Sequence, residues 1–261
     1  MEKHEKIEKL AQDKDEAMLL ARVYDRIAGA EQRNIPAATA FLSPREQALT
    51  RQLLRGMRLS FFGGVPEAER SMCCWLPEYL DETWLSSEDG PCAAVRAAFF
   101  AHDRLTHRDF LGALMGAGIK RETVGDIFVR EGACDFLVTR EILPYVLQNL
   151  DQAGRTRLTL CEIPLSEVQR PEQQIRLIRD TVASLRLDSI VASGFGLSRG
   201  KAAAYIESGK AELAHLPCLK TDRPVIVGDV ISIRGLGKIR LEEISGTTKK
   251  GRTGIVISRF L

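Results

Sequence analysis

Ser198-Arg199-Gly200-Lys201-Ala202-Ala203-Ala204-Tyr205-Ile206 is the stretch on which the reading of this chain turns. Ser198 is suited to cap a helix, Ala202 and Ile206 fall on one face of it, and Gly209 is placed to close it. Just upstream, Leu187, Ile190, Val191 and Gly194 recur at i, i+3, i+4 and i+7, which predicts a short amphipathic helix ended by glycine. Arg199 and Lys201 then stand in the first turn of the second helix, where acidic residues are usual. Two cations beside unpaired backbone N–H groups suit an anion, and a phosphate backbone is the commonest large one. The competing reading is a helix end whose cations are simply solvated.

The residues that follow extend this module. Residues 210–214 read as a short strand, 221–224 as a turn, and 230–234 as a strand entered through Gly228-Asp229. Two small helices followed by strands about a Gly-Asp corner resemble the S4-type RNA-binding domain. The resemblance is carried by Arg186-Leu187-Asp188, Ser198-Arg199, Lys201-Ala202, Ile206, Gly209-Lys210 and Gly228-Asp229. It implies RNA contacts at Arg186, Ser198, Arg199, Lys201 and Lys210. Leu213-Ala214-His215 departs from the Val-Asn-Gly common in that family, so a turn of different shape is expected and no contact is carried onto Ala214 or His215. Charge agrees with a polyanion partner at this end. Residues 181–261 hold 13 Lys+Arg against 7 Asp+Glu, whereas residues 1–180 hold 24 against 28, so the net +2 conceals a basic module on a mildly acidic body.

With 44% apolar residues in 261, the chain has material for more than one core. No run approaches the about 18 apolar residues of a membrane span. The segment Met1-Glu2-Lys3-His4-Glu5-Lys6 is charged throughout, from which no secretory signal is expected. Six cysteines at 73, 74, 92, 134, 161 and 218 form no Cys-x-x-Cys pair and sit among apolar residues, as reduced, buried thiols do. We expect a cytoplasmic address, no metal and no cofactor.

The spacing of Ile7, Leu10, Leu19, Leu20, Val23 and Ile27 predicts helix over 5–30, ended by Gly29. Ser43-Pro44-Arg45-Glu46 then has the cap, first-turn proline and capping-box glutamate of a second helix running to about Gly56. Residues 1–57 are therefore expected to form a helical subdomain. Strands are predicted at 58–62, 71–76 and 93–100, a helix capped near Thr106 and running to Gly118, and a hairpin of 126–129 with 134–138 turning at Glu131-Gly132. A helix over 141–150 capped by Thr139 and a strand at 157–162 complete residues 58–165 as a central RRM-like α+β sandwich of split βαβ type. Residues 166–184 read as linker and strand, and 185–261 as the S4-type domain with a C-terminal β-hairpin. The fold class is α+β.

Leu105-Thr106-His107-Arg108-Asp109-Phe110-Leu111-Gly112-Ala113-Leu114, with Gly118-Ile119-Lys120-Arg121, Gly125-Asp126-Ile127, Phe61-Phe62-Gly63-Gly64 and Pro66-Glu67-Ala68-Glu69-Arg70, resembles the YlmH-like family over nearly the whole chain. That resemblance implies a non-enzymatic RNA-binding protein acting on rRNA and tRNA of the large ribosomal subunit carrying peptidyl-tRNA. It further implies a part in ribosome-associated quality control, where stalled chains receive untemplated C-terminal tails, alongside other quality-control factors. A monomer is expected. Read from the residues alone, Arg108, Lys120 and Arg121 bracket one helix and its exit turn as a second phosphate patch, or serve as solvated cations. For His107 and Asp109 local capping is the better reading, and His102, Asp103, His107 and Asp109 fit no metal-ligand spacing.

Lys238 and Arg240 alternate on one strand face, and Lys249, Lys250 and Arg252 surround a glycine-rich hairpin tip that could meet phosphate or simply stay solvated. Catalytic motifs fail. Ala202 stands where a P-loop requires Ser or Thr, Gly235-Leu236-Gly237 lacks a third glycine, and no nucleophile elbow occurs. Arg186-Leu187-Asp188 resembles a motif of pseudouridine synthases, but at the head of a helix Asp188 reads as a capping or turn carboxylate. An RNA-modifying enzyme is the second expectation and an adaptor of the division machinery the third.

Overall fold

A side-chain oxygen starts each of the first long helices. Asp13 accepts the amide of Glu16 at 2.9 Å and opens α2 (Lys14–Arg33), behind the shorter α1 (Lys3–Leu10). The single helix expected over 5–30 is thus two, because Asp13 begins a new one. Gly29 lies inside α2, and the helix ends where Asn34 turns left-handed at φ 53°. The computed structural model describes residues 3–172, 174–248 and 251–261. Its contacts divide the chain into two units, Met1–Pro171 and Glu172–Leu261.

In the first unit, β1 (Ala37–Leu42) precedes α3 (Pro44–Leu53). The capping box of α3 forms as read, with the Ser43 amide donating to Glu46 at 2.5 Å and the Glu46 amide to Ser43 at 3.4 Å. β2 (Ser60–Phe62) and β3 (Ser71–Trp75) complete a three-stranded antiparallel sheet of order β1-β3-β2. Because Ala37 pairs with Trp75 and Leu42 with Ser71, this sheet runs through the boundary expected after residue 57. The helical subdomain is therefore not a closed piece. Its strand was hidden in Ala-Ala-Thr-Ala-Phe-Leu, which has little of the β-branched enrichment that marks strands.

The larger sheet follows from β4 (Cys92–Ala98), α4 (His107–Gly116), β5 (Val124–Arg130), β6 (Ala133–Thr139), α5 (Leu143–Asn149), the two-residue ribbon of β7 (Gln152–Ala153) with β8 (Thr156–Arg157), and β9 (Thr159–Ile163). Its order is β5-β6-β4-β9 with every neighbour antiparallel, the arrangement two interleaved βαβ crossovers produce. Strand alternation sends Val95, Phe136 and Val138 to the face covered by Phe110 and Leu114 of α4 and Leu143 and Val146 of α5. Cys92, Ala94, Leu137 and Ile163 point the other way, into a second core with Ala38, Phe41, Met72 and Cys74 of the small sheet. Both faces are buried. Thr139 does not cap α5: a 3-10 turn, Arg140–Ile142, intervenes, and the Thr139 hydroxyl is buried without a hydrogen-bond partner. Burial pushes the Cys73 and Cys92 thiols up to about 12. Cys161 departs from the expectation of buried thiols, because it lies exposed on the edge strand β9, and Cys218 is only partly buried.

The second unit opens with β10 (Ile175–Val182), which pairs along its whole length with β15 (Thr253–Phe260). The strand read within 166–184 is therefore present, and it is an edge strand of the C-terminal sheet. Between them come α6 (Leu187–Phe195), α7 (Arg199–Glu207), β11 (Ala211–Leu213), β12 (Leu216–Pro217), β13 (Val230–Ile233) and the eleven-residue β14 (Gly237–Thr247). The sheet runs β10-β15-β14-β13-β11-β12. Leu187, Ile190, Val191, Ala202 and Ile206, the inward positions read from periodicity, are buried with Ile231, Ile239 and Ile257. Burial of each of the leucine, isoleucine and valine side chains among them contributes about 2 kcal/mol. α6 ends at Gly196, φ 66°, two residues beyond the glycine expected to close it.

Gly63 is required by approach rather than by φ. A Cβ there would stand 2.3 Å from the Ala68 Cβ and 2.5 Å from the Arg70 carbonyl oxygen. Gly63→Ala should destabilise the first unit by about 2 kcal/mol, the usual cost of overpacking, read as a lower urea midpoint at unchanged m-value. A variant as stable as the parent would show that the 66–70 loop does not hold this approach in solution.

Candidate nucleic-acid interface

The two helices of the C-terminal unit are joined at one carboxylate. Asp188, in the first turn of α6, is 3% exposed. It accepts from the Arg186 guanidinium at 3.1 and 3.3 Å, from Arg199 Nε at 3.0 Å, and from the Ser189 hydroxyl at 3.2 Å. Burial would raise the Asp188 carboxyl, but the hydrogen bonds from Arg186 and Arg199 outweigh it and hold the group below its ordinary value. Asp188 is thus neither a cap nor a turn carboxylate: its oxygens bind side chains, because the backbone amides nearby are already taken. Those of Leu187 and Asp188 donate to the carbonyls of Arg223 and Thr221 at 2.9 and 3.0 Å. The start of α6 therefore has little to offer an anion. The start of α7 differs. Ser198 accepts the Lys201 amide at 3.4 Å, and Arg199, Gly200 and Lys201 are all exposed.

Arg199 was expected to be a cation awaiting phosphate, and instead it is ion-paired while its side chain stays 57% exposed. Two guanidiniums meet one carboxylate, so the cluster keeps one excess positive charge beside Lys201. Lys210 is exposed, its ammonium 5.4 Å from the centre of the Tyr205 ring. Lys220 and Arg223, which the sequence reading passed over, are exposed in the loop packed against the start of α6. Their signal was no more than one cation before a predicted turn and one within it. On β14, Lys238 is exposed, whereas Arg240 pairs with Glu242 at 2.7 Å. Arg252 is exposed and also engaged: it donates to the Thr181 hydroxyl at 3.0 Å and to the Thr181 carbonyl, tying the start of β15 to the end of β10. Lys249 and Lys250 lie outside the described residues.

In the first unit, Arg108 is exposed on α4 and lines a shallow groove with Gly112, Gly116, Asn149 and Gln152. Asp109 closes the capping box with Thr106, whose amide donates to it at 2.8 Å, and His107 is exposed beside it. Lys120 is exposed, but Arg121 turns inward. It donates to the Val124 carbonyl at 2.6 Å, and burial holds its guanidinium below its ordinary value. Lys120 and Arg121 thus do not form a joint patch. The residues of the wider motif are structural as well: Asp126 accepts the amides of Glu69 and Arg70 at 2.7 and 3.0 Å, while the Arg70 guanidinium donates to the carbonyls of Val124 and Phe41.

A four-stranded split βαβ sheet commonly offers RNA its helix-free face. Here that face holds the second core and a second buried carboxylate. Asp135, fully buried on β6, accepts from Arg96 at 2.7 and 2.8 Å, from Arg130 at 3.2 Å and from the Gln169 amide at 2.8 Å. Burial opposes its ionisation, but these bonds, Arg96 foremost, hold its carboxyl below the ordinary value. That face is therefore closed to a strand of nucleic acid.

A family profile described as "Putative RNA-binding domain in YlmH" matches residues 99–167. Among curated proteins, "Ribosome-associated protein quality control protein P2" of Bacillus subtilis (strain 168) is 36% identical over 225 residues, which are 85% of this chain and 86% of that protein. Among solved structures, "Cell division protein ylmH from Streptococcus pneumoniae" superposes with a TM-score of 0.51 at 20% identity, over 60% of this chain and 96% of that one. At that identity the likeness is one of fold.

The Asp188 cluster has a measurable acid limb. Its carboxyl titrates lower folded than unfolded, so the stability it contributes is complete above the unfolded value of about 3.9 and is lost as pH falls through the folded value. Arg199→Gln should remove about 1 to 2 kcal/mol at neutral pH and flatten that acid limb, read as urea midpoints from about pH 7 to about pH 3. An unchanged midpoint would show that the pair carries no stability.

Proposed function

The chain belongs to the YlmH-like family, and from that premise we propose that it is a non-enzymatic, ribosome-associated RNA-binding protein that acts in quality control of stalled translation. The ligand is rRNA and tRNA on the large subunit carrying peptidyl-tRNA, and the C-terminal unit, an S4-type domain in this reading, is the principal contact. One observation carries the proposal: the start of α7 presents Arg199, Gly200 and Lys201 to solvent on a rigid pair of helices, within a segment whose cations outnumber its carboxylates 13 to 7. A helix N-terminus flanked by fixed cations binds phosphate through both backbone N–H groups and charge. The relative's name supplies the ribosome and the quality-control setting, and the family profile supplies RNA binding. The family's role adds C-terminal tailing of stalled chains as the process served.

The central unit adds contacts from its rim, with Arg108 and Lys120 as the exposed cations there. Lys238 extends the C-terminal surface along β14. Arg186 and Arg199 do two things at once in this reading, since they hold Asp188 and present their remaining donors outward. That dual role makes Lys201 the better probe, because it is exposed and joins no ion pair among the described residues.

Lys201→Ala should leave thermal unfolding unchanged and lower the slope of log K against log salt by about 0.7 to 0.9, the amount for one lost phosphate contact. Lys201→Glu should abolish co-sedimentation with large ribosomal subunits at about 0.15 M salt. Binding with no salt slope would instead fit a protein–protein adaptor and overturn the proposal.

A further inference from the structure

The loop between β4 and α4 holds two aromatic rings in water that the interface described above does not use. Phe99 and Phe100 are adjacent but part company. Phe99 turns inward, its ring centre 5.9 Å from that of Phe110, while Phe100 is 72% exposed. The His102 ring lies alongside Phe100 with centroids 5.5 Å apart and planes 18° from parallel, and its side chain is 78% exposed. The backbone fixes this arrangement. The Asp103 amide donates to the Phe100 carbonyl at 2.9 Å and closes a turn, and the Phe99 amide donates to the Gly132 carbonyl at 3.0 Å on the tip of the β5–β6 hairpin. That tip sits close beneath the loop, for a Cβ on Gly132 would stand 3.8 Å from Ala101. Arg104 is exposed two residues on and lines a cleft of about 580 Å³ with His102, Asp103 and Arg130.

A single exposed hydrophobic side chain needs no explanation. Two near-parallel rings on a tethered turn, with a cation lining the cleft beside one of them, form the arrangement that binds an unpaired base, whose free face stacks on the rings while its phosphate meets the cation. A duplex cannot use it, because its bases are already stacked on one another. An apolar protein partner is a poorer match, since Asp103, Arg104 and Glu131 line the cleft beside the His102 ring with charge. The loop begins inside the matched segment 99–167 and sits on the rim left open by the covered sheet.

We infer that Phe100 and His102 form a stacking platform for an unpaired nucleobase of the bound RNA, with Arg104 at the adjoining phosphate. This rests on the RNA-binding reading above and deepens it by naming single-stranded nucleotides as the ligand of the central unit.

The full chain would be titrated with a short single-stranded RNA carrying 2-aminopurine and, separately, with a blunt RNA duplex of the same sequence. Stacking should quench the 2-aminopurine. Phe100→Ala should abolish the quench and weaken single-strand binding about tenfold, leave duplex binding and the melting temperature unchanged, and Phe100→Trp should keep both quench and affinity. Wild-type quench and affinity in Phe100→Ala would overturn the platform and leave RNA binding standing. Equal losses on single strand and duplex would also overturn it. If the parent protein binds neither RNA, the platform and the function it rests on fail together.

Discussion

A carboxylate taken out of water must be answered by charge, and each unit of this protein is assembled around one such demand. Asp135 draws Arg96 from β4, Arg130 from β5 and the amide of Gln169 onto a single point of the central sheet. Asp188 does the same for the two helices of the C-terminal unit, through Arg186 and Arg199. In each case two guanidiniums serve one carboxylate. Removing a partner from a buried pair leaves an uncompensated charge, so these sites lock the local geometry more firmly than an exposed pair would. At Asp135 both arginines are mostly buried, whereas at Asp188 the Arg199 side chain stays 57% exposed.

How far the sequence foretold this depends on the distance between the residues that decide each feature. Three helix starts were legible because cap and first turn lie within four residues: Ser43 with Glu46, Thr106 with Asp109, and Ser198 with Lys201 all form as read, whereas the start at Asp13 was not read and Thr139 does not cap α5. The buried stripe of Leu187, Ile190 and Val191 was legible from helical spacing alone. Features set by remote partners were not. β10 read as a connecting strand, but its place beside β15 was not legible because that partner lies some eighty positions along the chain, and β1 was lost in an alanine-rich run that only its pairing with β3 turns into a strand. The fate of the cations was the least legible. Nothing local distinguishes Arg121, bent onto the Val124 carbonyl, from its exposed neighbour Lys120.

The covering of the central sheet redirects what such a sheet can do. Leu137, Ala94 and Ile163 are spent on the core shared with the small sheet, and residues 164–170 close over Asp135 and Phe128. The broad platform of a bare four-stranded sheet is exchanged for rigidity. What remains at the periphery is a set of short loops and helix ends.

The hairpin between β11 and β12 has a further lesson. Ala214 and His215, expected to alter the turn, both take positive φ, 48° and 66°, the signs for which Asn-Gly is the usual pair in a two-residue connection. Each departs from what its own side chain prefers at a cost of about 1 kcal/mol. The bend is therefore dictated by the ladder on either side, where Leu213 meets Leu216 and the Ala214 amide reaches the Val230 carbonyl at 2.9 Å. A corner whose course is imposed from outside depends less on its own two side chains than on the strands that hold it.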